Sequence, residues 1–201
     1  MNLYINPEHH PMNYKELFQR LILLIASPKK AWAEISSESP RRDVMGSFVY
    51  PLIALCGLAV LLSKLFGGGV KRMTFQIAAM DICGYCVALL GGFFLAAWLL
   101  DIVRQKLLKE AGDMPGSQLF VGYTMGLVFA SEMLAILFPQ LFIFKWILQF
   151  YVLYVVWEGS NIIFSVSEDK RLMFTTLTSV AVIFSPTIIH TLFNILSNTL
   201  G

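Results

Sequence analysis

The stretch from Leu141 to Arg171, LFIFKWILQFYVLYVVWEGSNIIFSVSEDKR, decides the fold. Fourteen of its residues between 141 and 164 are Leu, Ile, Val or Phe. A run of this length crosses a hydrocarbon core as a helix. At about −0.3 to −0.6 kcal/mol each on insertion scales, those residues sum to roughly −6 kcal/mol, which Lys145 and Glu158, both off-centre, offset only in part. Tyr151, Tyr154, Glu158 and Asn161 recur at spacings of three, four and three, and so share one helical face. A polar stripe on a spanning helix is expected to face other helices or a wet cavity. The span closes on the charged turn Glu168-Asp169-Lys170-Arg171.

Working outward, the composition has the same character. Hydrophobic residues make up 57% of the 201 and charged ones 14%, against roughly 45–50% and 25% in soluble domains. The charges leave several windows of about twenty residues nearly free of them, the length one spanning helix requires. The net charge of +2, without any dense Lys/Arg block, argues against nucleic acid as a partner. Cys56, Cys83 and Cys86 all fall inside expected spans, which is neither a disulfide framework nor zinc-ligand spacing. Met1 to Pro11 is polar and lacks an apolar signal-peptide core, so the first span is expected to act as the insertion signal.

The chain divides into a cytoplasmic amphipathic module, residues 1–45, and a membrane domain, residues 46–201. Residues 1–13 are expected to be a flexible leader, with His9 and His10 an unstructured pair. Tyr14 to Ala26 carries Leu17, Phe18, Leu21, Ile22, Leu24 and Ile25 against Lys15, Glu16, Gln19 and Arg20, the pattern of an interfacial helix. Ser27 and Pro28 supply an N-cap and a first helical position for a second short helix. There Trp32 suits the headgroup layer, and Lys29 and Lys30 suit anionic lipid. Residues 36–43 form a polar linker. Spans are expected at 46–66, 75–100, 119–138, 141–164 and 172–196, with Pro186 kinking the last. Gly84/Ala88/Gly92 and Gly122/Gly126/Ala130 form small-residue faces suited to helix contact or homo-oligomerisation. The fold class is therefore an all-α integral membrane protein of five transmembrane helices behind a short amphipathic module.

Five spans place the termini on opposite sides. With the N-terminus in the cytoplasm, the inner segments hold eleven basic residues and the outer ones four, Lys64, Lys71, Arg72 and Lys145. The positive-inside rule favours that orientation.

Three places resemble the Yip-domain family, membrane proteins named for interacting with Ypt/Rab GTPases, and its bacterial branch most. They are the SPKKAW turn at Ser27–Trp32, Gln118-Leu-Phe-Val-Gly-Tyr123 entering the third span, and the fourth span leading to Glu168–Arg171. The resemblance implies a helical bundle in a bacterial inner membrane. The family's GTPase role is set aside, because the cytoplasmic region is only about 45 residues. In addition, Ser47-Phe-Val-Tyr-Pro51 stands where the Asp-Leu-Tyr-Gly-Pro signature belongs.

Counting at about 1.5 Å per residue places Asp81, Glu132, Lys145 and His190 in one outer layer. Such a cluster serves as a structural fastening, with a Glu132–Lys145 ion pair, or as a proton or cation path. Tyr154, Glu158 and Asn161 form an inner-half counterpart suited to interhelical hydrogen bonds. Cys83-Gly-Tyr-Cys86 is expected to pack rather than to act in redox chemistry. No Ser/His/Asp set, phosphate loop or HExxH pattern is present, so no catalytic residue, metal or cofactor is expected. The expectation is a non-enzymatic scaffold or membrane-organising protein, with protein partners at its cytoplasmic face. The alternative is a small transporter or channel component using the intramembrane acids.

Overall fold

The computed structural model describes residues 14–37, 43–66 and 75–200. The leader with His9 and His10, most of the 36–43 linker, Gly67–Gly69 and Lys71-Arg72 lie outside them. Seven α-helices follow in order: α1 Tyr14–Ala26, α2 Pro28–Ser37, α3 Tyr50–Phe66, α4 Phe75–Val103, α5 Met114–Leu137, α6 Phe142–Phe164 and α7 Glu168–Leu200. No strand occurs among the described residues. Five helical segments are long and apolar enough to cross a membrane.

Helix ends follow local chemistry. A π-helical turn, Met45–Val49, precedes α3, and another, Arg104–Leu108, prolongs α4. The expected loop at 101–118 is consequently much shorter. Lys109 turns left-handed at φ 59° and ends the helix. Asp113 then caps α5, accepting from Gly116 N at 3.1 Å, with Pro115 in the first turn. At the end of α6, Ser165 takes φ 48°. Its N–H bonds Asn161 O at 3.1 Å and that of Val166 bonds Ser160 O at 3.2 Å. These bonds satisfy the last carbonyls before α7 begins.

The glycines explain the close packing. A Cβ on Gly92 would stand 2.6 Å from Pro186 Cα, so α4 and α7 meet backbone to backbone. Gly84 lies against Phe193, Gly122 against Val44 and Val49, and Gly126 against Phe48. The glycines of both small-residue faces are therefore filled from within the chain. Pro186 sits inside an α7 that continues past it.

One core holds everything. Leu17, Leu21, Leu24, Trp32 and Ile35 of α1 and α2 belong to the same buried cluster as Phe48, Phe93, Phe120, Phe129 and Val155. The N-terminal hairpin is thus packed into the bundle, against α5 and α6.

Candidate functional site

Trp32 is fully buried, at 0% exposure, so its ring faces protein side chains on every side. Its ring stacks on Phe120 with centroids 4.7 Å apart and meets Tyr123 edge-on at 6.4 Å. Its indole N–H donates to Val155 O at 2.9 Å. Gly159 makes room for it: a Cβ there would approach Trp32 Cε2 to 2.5 Å. Pro28, Ala31, Trp32 and Ile35 form the buried stripe of α2, while Lys29 and Lys30 are exposed. The turn beside it is tied as well, since the Tyr151 hydroxyl donates to Ile25 O at 2.7 Å.

The outer polar cluster does not form as one group. Lys145 Nζ and Glu132 Oε1 pair at 2.8 Å, each about one-fifth exposed, across the α5–α6 hairpin. Asp81 pairs instead with Lys64 of α3, because the antiparallel α3 and α4 bring that ammonium to it. His190 lies across from Asp81 on α7, its Nδ1 3.3 Å from Asn194 Nδ2. Asp81, His190, Asn194, Cys83 and Tyr85 line an open groove of about 540 Å³ between α4 and α7. The Tyr85 hydroxyl is buried without a hydrogen-bond partner.

Along the Tyr151–Asn161 face, Tyr154 is 47% exposed and Asn161 is exposed, with Glu158 half-buried. Tyr151 at its start meets α1 through Ile25 O, and from Tyr154 onward the face turns outward. Helical spacing identifies a face but not what it meets.

The densest polar network lies between the expected second and third spans, where α4 meets α5. Arg104, 8% exposed, sends Nε and Nη2 to Glu110 Oε2 at 3.1 and 2.9 Å. Its Nη1 reaches Asp113 O at 3.1 Å and Ser117 Oγ at 3.2 Å. The guanidinium also covers the Phe164 ring at 4.3 Å. Asp101 accepts from Gln105 Nε2 at 2.7 Å and Asp113 N at 2.9 Å. A planar five-donor fork suits this geometry, and a lysine does not. Lys106 and Lys109 remain exposed beside it. At the next connection Arg171 donates to Trp157 O at 2.8 Å and stacks on that indole at 4.2 Å.

Thr175, Thr178 and Ser179 share a buried face of α7, and their hydroxyls have no hydrogen-bond partner. Among the described residues no three His, Cys, Asp or Glu side chains converge as metal ligands.

Residues 22–189 match the family model of the Yip1 domain. No curated protein and no solved structure matches the chain.

Proposed function

Because the chain belongs to the Yip1 domain family, we propose that it is a non-enzymatic multi-pass scaffold of a bacterial cytoplasmic membrane. It recruits protein partners at the end of the bundle where α5 begins. The observation that carries this reading is the Arg104 clasp. It fixes the α4–α5 connection while Lys106 and Lys109 stay exposed, and Glu34, exposed on α2, lies toward the same end. A rigid connection with free charges suits recognition, since little ordering entropy is lost when a partner docks. The basic-residue balance of eleven against four supports placing this end, and the N-terminus, in the cytoplasm with the C-terminus outside. Photoreactive groups at Glu34 and Lys106 in native membranes are expected to trap a defined protein. Capture of lipid alone at both positions contradicts recruitment.

A second reading, a small transporter or channel component, draws on the α4–α7 groove with Asp81, His190 and the unpartnered Tyr85 hydroxyl. It requires proton or cation flux in proteoliposomes that Asp81→Asn abolishes. Absent flux, or flux unchanged by that substitution, rejects it.

A further inference from the structure

The α1–α2 hairpin lies against only one half of the bundle. Trp32 meets Phe120 and Gly159, six residues into α5 and five from the end of α6. That is about 8–9 Å from the Met114 end at a 1.5 Å rise. The deepest contacts belong to the end of α1: Leu21 against Gly126, and Ile25 O on the Tyr151 hydroxyl. These positions lie about 18–20 Å from the same end of helices about 35 Å long. Every described hydrogen bond and ring contact tying the hairpin to the bundle falls within about 20 Å of that end. The hairpin enters from the Met114 end, turns at Ala26–Ser27 near mid-depth and returns.

Its outer faces match that placement. Phe18, Ile22 and Ile25 on α1 are exposed, an apolar row suited to acyl chains. On α2 the exposed Lys29 and Lys30 follow the turn, about 12–13 Å from the Met114 end at a 1.5 Å rise, and their stems carry the ammonium groups back toward the headgroups, while Glu34 lies nearer that end. Trp32 and Tyr151 anchor the two arms to carbonyl oxygens, so the hairpin is a fixed part of the molecular cross-section.

We propose that this protein is a one-sided membrane wedge that favours curved bilayer. Seven helices occupy the leaflet at the Met114 end and five occupy the other. With helix diameters of about 10–12 Å, the hairpin adds about 200 Å² to one leaflet only. A molecule broader in one leaflet sits with least strain where that leaflet is convex. Under the orientation proposed above this is the cytoplasmic leaflet, but the wedge depends neither on that orientation nor on any protein partner.

The test uses the full chain, with its native cysteines replaced and Lys106→Cys as the reporter of the Met114 end. It is reconstituted into small sonicated and large extruded vesicles of one lipid composition. A membrane-impermeant maleimide, compared with labelling after lysis, reads the fraction of molecules whose Met114 end faces outward. That fraction is expected to be higher in the small vesicles, whose outer leaflet is convex. Deleting residues 1–37 is expected to abolish the size dependence. Trp32→Ala with Tyr151→Phe, which keeps the chain but removes both anchors, is expected to reduce it while helicity and elution volume hold. Equal fractions in both vesicle sizes, or a size dependence that survives both variants, overturns the proposal.

Discussion

Trp32→Ala is the sharpest probe of the hairpin. The substitution removes a fully buried indole, its stack on Phe120 and its hydrogen bond to Val155 O. Core Trp→Ala changes cost about 3–5 kcal/mol in water-soluble proteins. The low end applies here, because lipid is as apolar as the core, leaving mainly lost packing. The stack contributes about 0.5–1.5 kcal/mol and the hydrogen bond about 1 kcal/mol. The Val155 carbonyl lies inside α6 and keeps its helical partner, so no full desolvation penalty adds to these. A loss of about 3 kcal/mol raises the undocked population roughly a hundredfold, at 1.4 kcal/mol per tenfold. The assay is labelling of Leu24→Cys, a fully buried position on the inner face of α1, by a membrane-permeant maleimide in a background without native cysteines. Labelling should accelerate by about that factor when Trp32→Ala is added, and by only about fivefold for Trp32→Phe, which keeps the stack and loses the N–H. An unchanged rate in Trp32→Ala refutes the anchoring role.

Other substitutions separate the polar elements. Arg104→Met leaves Glu110, Asp113 and Ser117 without the buried guanidinium and, because both carboxylates stay partly exposed, should cost about 1.5–3 kcal/mol, read as a lower thermal midpoint in detergent, and Arg104→Lys should not restore it. A double-mutant cycle of Glu132→Gln and Lys145→Met should show coupling of about 1 kcal/mol, whereas Glu132→Gln with Asp81→Asn should be additive. Thr178→Val replaces a buried hydroxyl that has no partner and should raise stability by about 1 kcal/mol; a destabilised protein would mean that the hydroxyl is hydrogen-bonded.

Hydropathy made the five spans legible because the lipid-facing and core-facing residues are both apolar. Counting depth along α5 and α6 sufficed to set Glu132 opposite Lys145, since the short connection of residues 138–141 leaves the hairpin almost no freedom of register. The same count failed for Asp81. It left Lys64 out of the outer layer, although the helix that carries Lys64 packs beside α4 and supplies the nearest cation. The pocket around Trp32 was not legible for a physical reason. An amphipathic Trp suits a headgroup layer and a dry pocket with one acceptor equally well, and only Gly159, more than a hundred residues away, decides between them. The Arg104 clasp was hidden by its composition. Charges and glycines between two spans look like a solvated loop, yet π-helical winding carries α4 onward and turns Arg104 inward. The outward Tyr154 face follows from where α6 sits at the edge of the bundle, which no single-helix pattern encodes.

The central claim, that the N-terminal hairpin belongs to the membrane bundle, is tested most directly by cross-linking its turn to α6. Ile25→Cys with Tyr151→Cys, in native membranes and without other cysteines, should be joined within one chain by a short bifunctional thiol reagent. Lys64→Cys with Asp81→Cys serves as the positive control for the bundle. Efficient linkage of both pairs is the predicted result. Linkage of the control pair alone would place the hairpin outside the bundle and contradict the account.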